Sequence, residues 1–511
     1  MNAAKRGDLG ARTTRSAALM SAQTMVTKVA TTLGQLALAA ILLPEAFGLI
    51  ALAFAVRSYA SVIQEAGIRE VLIREQERLG RWANAGFWLV TTLGFAAAAL
   101  MILIAWPASM LLTEPGLVGL ILVLAGGQPA MAMAIVPQAV LERDMRFKWV
   151  ALVEGLTAIG QMLLTVALAW MGFEAYSFAI AVSVAAWARF WMLWIRADVT
   201  LRGRPQMRRW PRFFKAGLPT SGAAVLERTV QQSDYLILGI ISRDPGLVGH
   251  YFFAFNQSTM VSQLLVGSLV RILVSSLSAL KDDVVRQVNA FLQATRVLAI
   301  IAIPLGVLQA TLARPFLTLL FGERWAPAIP LLEILSIIAG FGATCWPAIS
   351  LLMAQGRYVV RLWLRLGGAI VFVAFALAGT LIGRSYEATA IGLALGVSAF
   401  RLINGPIVMW VACKPGGTPM VTILRVLFTS MIGASVTLIP IALLTRWGLA
   451  EAGVTGWQGH VAHLCISPAL GLPLYWAWCK VAQPGDLRSV GVQFERILPA
   501  RIMRRVPRWV F

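Results

Sequence analysis

Residues 84–106 read NAGFWLVTTLGFAAAALMILIAW, without a single Asp, Glu, Lys or Arg. A helix that crosses a bilayer needs about 20 consecutive apolar residues, and this run supplies them. The same texture recurs through all 511 residues: 59% are apolar and only 13% are charged, with a mean hydropathy of +0.76. Soluble domains carry nearer a quarter charged residues. The composition excludes a soluble enzyme, a disordered tail and a secreted disulfide scaffold. It predicts an all-α polytopic membrane protein.

Working outward from 84–106, about 14 transmembrane helices are expected. They fall near 17–43, 46–66, 84–106, 116–140, 149–171, 174–195, 216–241, 247–270, 291–313, 328–354, 358–381, 388–411, 421–445 and 462–481. Pro129, Pro137, Pro219, Pro304 and Pro347 lie inside these runs and predict kinks rather than breaks. With the N-terminus inside, the seven outer loops hold five Lys and Arg between them, and the inner segments hold most of the rest. That asymmetry obeys the positive-inside rule and places both termini in the cytoplasm. The basic N-terminus (Lys5, Arg6, Arg12, Arg15) precedes a span too long for the apolar core of a cleavable signal.

The net charge of +21 would point to nucleic acid in a soluble protein. Here the charges sit in loops, so the partner they imply is membrane lipid. The inner loop 196–215 carries seven basic residues beside Trp210, Phe213 and Phe214, a composition expected to lie on anionic lipid. The tail 482–511 is similar. No catalytic or metal site is expected. The four cysteines form no CxxC pair, and His460 and His463 fall near an outer helix end, where a structural role is expected. The sequence has no GxxxxGK[ST], HExxH or GxSxG motif.

Two patterns converge on one place. Pro44, Gly48, Ala53 and Phe54 recur as Pro245, Gly249, Ala254 and Phe255, all at an offset of 201 residues. Both sets link the first two spans of a six-helix half, as parallel repeats would. Polar stripes mark the same four spans. The first carries Thr24, Thr27, Lys28, Thr31 and Gln35; the second carries Arg57, Ser61, Gln64 and Glu65. The seventh carries Glu227, Arg228, Gln231, Gln232 and Asp234; the eighth carries Asn256, Gln257, Thr259 and Gln263. Such stripes line a water-filled cavity between two lobes, or, for the Thr and Gln positions, hydrogen-bond helices together.

The deep cations decide more. A cation at the bilayer centre costs roughly 2.5–3.5 kcal/mol even on the lenient scale, so Lys28, Arg57, Arg228, Arg365 and Arg401 must face water or partners. Arg189, Arg296 and Arg425 lie nearer span ends and are expected to snorkel. Buried carboxylates are fewer: Glu154, Glu227, Asp234 and Glu333. A net cationic interior suits an anionic cargo.

Three stretches carry a family resemblance. Asp234–Phe255 (DYLILGIISRDPGLVGHYFFAF), Phe321–Ala326 (FGERWA) followed by Ala328–Leu332 (AIPLL), and Leu43–Gly48 (LPEAFG) resemble Wzx-type lipopolysaccharide or exopolysaccharide flippases. These belong to the multidrug/oligosaccharidyl-lipid/polysaccharide exporter superfamily, and the resemblance covers most of residues 15–480. It implies two six-helix lobes around a central cavity plus two added helices: 1–215 with the basic loop, 216–415, 416–481, and the tail 482–511. It also implies export of an undecaprenyl-diphosphate-linked oligosaccharide across the bacterial inner membrane, with a polysaccharide polymerase and a chain-length regulator as further partners. The alternatives are a lipid II flippase, a multidrug exporter or a membrane polysaccharide polymerase.

The expected cargo contacts are Lys28, Arg57, Arg228, Gln35, Asn256 and Gln257. Guanidinium groups chelate phosphate, and amides meet sugar hydroxyls. No cofactor is expected. Glu227 and Asp234, seven residues apart on one helical face, are candidates for H⁺ or Na⁺ coupling, or else for a salt bridge to Arg228 or Lys28.

Overall fold

A computed structural model describes residues 27–65, 79–197, 199, 206–260, 277, 280 and 283–484. Thr24, Gln263, the Glu65 side chain and the tail from 485 onward lie outside the described residues. Within them the chain is helical with no strand, and each of the fourteen expected spans contains a helix. Among the described residues, ten helices are long and apolar enough to cross a membrane.

Up to Phe252 the chain forms one compact unit. It begins with α1 over 27–41 and α2, Pro44–Ser61. Next come α3, Leu79–Leu112, and a pair interrupted at Ala134: α4, Gly116–Met133, and α5, Ile135–Arg143. Then follow α6, Phe147–Trp170, and α7, Glu174–Arg196. The unit closes with α8, Trp210–Ser242, and the first turns of α9, a helix over 245–260. In this unit α3 packs on α4, α6 on α7, α4 on α7, and α2 on both α4 and α8. Phe87, Leu89, Val140, Leu141, Val153, Phe190 and Leu193 are buried at its core.

Pro129 stays inside a continuous α4. Near Pro137 the ladder is interrupted only at Ala134, which keeps helical backbone angles, a kink rather than a break, because proline has no N–H to give the carbonyl four residues back. The described part of the basic stretch expected on lipid, 206–215, is mostly exposed, with Phe214 facing outward at 43% exposure, while one residue anchors it to the unit. Phe213 is fully buried, edge-on to Trp82 at 5.5 Å, and the guanidinium groups of Arg209 and Arg212 stack on the Trp82 ring at 5.4 and 5.0 Å. A cation over an indole face keeps its charge near water while the ring stays covered.

The 201-residue repeat has a physical counterpart. Gly48 on α2 lies against the Pro245 carbonyl, and Gly249 on α9 lies against the Pro44 carbonyl, with no room for a β-carbon at either position. The contact is reciprocal, each repeat offering its proline carbonyl to the other's glycine. Phe47 and Phe252 flank it at 6.5 Å.

From Phe253 the chain forms a second unit. Its spine is α10, Val284–Phe321, with Asp283 capping the Arg286 N–H. The others are α11, Ala328–Cys345, and α12, Pro347–Ala354, again split just before a proline. They are followed by α13, Tyr358–Ser385, and α14, Thr389–Cys413, then α15, Met420–Glu451, and α16, Gly456–Ala482. The last two run further than hydropathy suggested, so the expected outer loop 446–461 shrinks to residues 452–455.

α13 and α14 meet through glycine: Gly379 and Gly383 abut Gly392 and Gly396, with backbone against backbone. In a membrane such small-residue pairs let helices approach closely enough for van der Waals packing to hold them. The FGERWA motif also acquires a reason. Gly322 takes φ +66°, ψ −153°, a region open essentially to glycine. The turn it permits sends Trp325 into full burial, 4.3 Å from the Phe253 ring.

Candidate functional site

The polar interior of the first unit centres on α2 and α8. The apolar sequence of α2 is broken by Arg57, which is half-buried. Its contacts among the described residues are soft ones: Nη2 donates to Met131 Sδ at 2.7 Å, and the guanidinium lies 5.0 Å from the Phe54 ring centroid. The charge that acts on it is that of Arg228 on α8. Two expected cargo residues thus lie within electrostatic range of each other, as like charges.

The carboxylates of α8 differ from one another. Asp234 is 1% exposed; its Oδ2 accepts from Tyr251 Oη at 3.1 Å and its Oδ1 from the Tyr235 N–H. Tyr59, which hydrogen-bonds Thr229, lies within reach of the Asp234 charge. Glu227, two turns away, is half-buried and accepts from Gln231 Nε2 at 2.7 Å. Deeper in the unit, Gln64 Nε2 donates to Gln128 Oε1 at 2.7 Å, and both residues are buried. That pair is hydrogen-bonding glue of the kind anticipated for amides.

Arg57 also lines a cavity of about 220 Å³, together with Glu154, Thr157 and Gln161 of α6 and Arg189 of α7. Arg189, expected to snorkel, is partly exposed and paired. Its Nη2 donates to Gln138 Oε1 at 2.7 Å and reaches Glu154 Oε1 at 3.4 Å, while Gln138 Nε2 donates to Glu142 Oε1 at 2.8 Å. Pairing inward costs less than leaving Glu154 without a countercharge. Gln138, Glu142 and Gln161 were missed from the sequence. They sit on stretches whose mean hydropathy hides them, and only the 3.6-residue spacing of Glu154 and Gln161 hinted at a face.

Lys28 and Gln35 are half-buried on α1. Asn256 and Gln257 belong to the second unit. There Gln257 is buried, and its carbonyl accepts from Gln309 Nε2 of α10 at 2.7 Å. Arg401 lies 5.1 Å from the Phe255 ring. Among the described residues no group of His, Cys, Asp and Glu is arranged to hold a metal.

Known proteins give this geometry a context. The chain is 26% identical over 459 residues to the succinoglycan biosynthesis transport protein ExoT of Rhizobium meliloti, covering 89% of this chain and 90% of that protein. It is 23% identical to the lipopolysaccharide biosynthesis protein WzxC of Escherichia coli, over 72% of this chain and 74% of that one. Its fold is that of the lipid II flippase MurJ in its inward closed conformation: the TM-score is 0.70 at 15% identity, over 91% of this chain and 98% of that one. The model of the polysaccharide biosynthesis protein family matches residues 37–330, more than half the chain, and the chain therefore belongs to that family, as its resemblance to Wzx-type flippases implies.

Proposed function

We propose that the protein flips an undecaprenyl-diphosphate-linked oligosaccharide across the bacterial inner membrane by alternating access, for exopolysaccharide or lipopolysaccharide assembly. The observation that carries this is a half-buried Arg57 whose contacts among the described residues are a thioether and an aromatic ring, within electrostatic range of a second cation, Arg228. Two guanidinium groups that repel inside a membrane protein are stabilised by an anion placed between them, and a diphosphate offers at least two negative charges in the geometry guanidinium chelates. Membership of the polysaccharide biosynthesis family supplies the lipid-linked sugar. The basic inner segments orient the chain with both termini in the cytoplasm; a reporter fusion at residue 205 that reads the outer side would overturn this orientation. The flipped product is a substrate for a polysaccharide polymerase working with a chain-length regulator.

Deletion of the gene followed by lipid extraction tests the cargo. Undecaprenyl-linked repeat units of a surface polysaccharide should accumulate, and the phenotype should be reversed by the wild-type gene. Accumulation of lipid II instead would favour the second reading, which the MurJ-like fold supports.

Glu227 and Asp234 are proposed to couple export to H⁺ or Na⁺. Asp234 is buried and accepts from Tyr251, which places a carboxylate inside a span where a bound H⁺ or Na⁺ would meet little competing water. Asp234→Asn preserves an oxygen for Tyr251 while removing the charge. It should cut export at least ten-fold at unchanged protein level, and Glu227→Gln should do so less. Full export from both variants ends the coupling idea at these positions.

A further inference from the structure

A separate cavity lies in the second unit, lined by none of the proposed cargo contacts. It holds about 460 Å³ at the end of the unit where α10 turns into α11 and α15 into α16. Arg314 from α10, Arg446 from α15, and His460 and His463 from α16 reach it, opposed by the single carboxylate of Glu333 on α11. Its remaining walls are mainly apolar, with Ile337, Ile439 and Leu443 among them. Both arginines act electrostatically on Glu333, so the carboxylate holds two cations together without balancing them. A guanidinium has five donors, more than one shared carboxylate can satisfy.

His463 supplies an independent sign of a ligand. It is 6% exposed, its ring is hydrogen-bonded to the Thr311 backbone, and its Nε2 has no hydrogen-bond partner among the described residues. Buried polar atoms are rarely left so, and His463 is among the residues that line this cavity. Arg446 and His460 both act on His463 as neighbouring charged groups. An anion seated among them would accept from the guanidinium groups of Arg314 and Arg446.

We infer that this cavity binds a phosphate group carried on an apolar chain, the head of an anionic phospholipid, at the end of the helices that the proposed orientation places outside. The cations select the phosphate, and the aliphatic walls select the chain over a free ion. The site lies wholly in the second unit and shares no residue with the proposed cargo contacts, so either can fail alone.

The test uses the full-length protein in detergent, followed by native mass spectrometry and thermal shift. The probes are dioleoylphosphatidylglycerol, dioleoylphosphatidylcholine and inorganic phosphate. Phosphatidylglycerol should be retained and should raise the melting temperature, with phosphatidylcholine at least five-fold weaker and inorganic phosphate without effect. Arg446→Gln should weaken phosphatidylglycerol retention at least five-fold. Glu333→Gln, which removes the one opposing charge, should bind at least as well as wild type and guards against a variant that merely unfolds. Equal stabilisation by inorganic phosphate would replace the lipid with a free anion and overturn the apolar half of the inference. Equal retention of both lipids, or retention unchanged in Arg446→Gln, overturns the site.

Discussion

The Arg57→Ala, Arg228→Ala double variant is expected to abolish export while remaining in the membrane at wild-type level. Hydrogen bonds to charged groups contribute about 1.5–3 kcal/mol each. Removing two guanidinium groups from a diphosphate then costs several kcal/mol, on the order of a hundred-fold to a thousand-fold in occupancy. Stability should not follow activity. In the empty protein these two residues repel, and Arg57 leans on a thioether and an aromatic face rather than on a carboxylate. The graded case is Arg57→Lys, which keeps a charge but loses the fork and should retain part of the export. Arg365→Ala and Arg401→Ala should matter less. Export is read as surface polysaccharide in a deletion strain, and protein level by immunoblot of membranes. Wild-type export from the double variant would refute the cationic-site mechanism.

A single methyl group at Gly48 or Gly249 should be nearly as damaging, by a different route. At both positions an added β-carbon meets a backbone carbonyl, that of Pro245 or of Pro44, and a backbone cannot rotate out of the way as a flexible side chain can. Overpacking of this kind costs typically 1–3 kcal/mol and more where nothing yields. Gly48→Ala and Gly249→Ala should therefore each lower the melting temperature of the purified protein and its yield. Because the two contacts are halves of one reciprocal junction, the double variant should lose less than the sum of the singles, since the junction is already opened by the first. Gly160→Ala on α6, where a β-carbon meets nothing within 4 Å, is the control and should leave stability unchanged or slightly raised. Alanine variants at 48 and 249 as stable as the control would show that the helices part more freely than their contact implies.

A helix in each of the fourteen expected stretches was legible because the cost of exposing a backbone or a charge to lipid is paid locally, residue by residue, and hydropathy sums that cost along the chain. The 201-residue repeat was legible for a related reason: Gly48 and Gly249 are fixed by a backbone approach that leaves no room for a β-carbon, and Pro44 and Pro245 stand at the helix starts whose carbonyls make that approach. The stripe on α8 followed from helical spacing, and so did the placement of Glu227 and Asp234 on one face. Which side chains meet across helices did not follow, because it depends on the rotation of each helix about its axis, and hydropathy is nearly blind to that. Only the tertiary structure brought Arg57 within electrostatic range of Arg228. It also paired Arg189 with Gln138 and Glu154, folded Phe213 under Trp82, and gave Asp234 a tyrosine for a partner. Likewise it gathered Arg314, Arg446 and His463, distant in sequence, around one cavity. Burial of a polar group is favourable only beside a specific partner, and in this chain the partners lie tens to more than a hundred residues away.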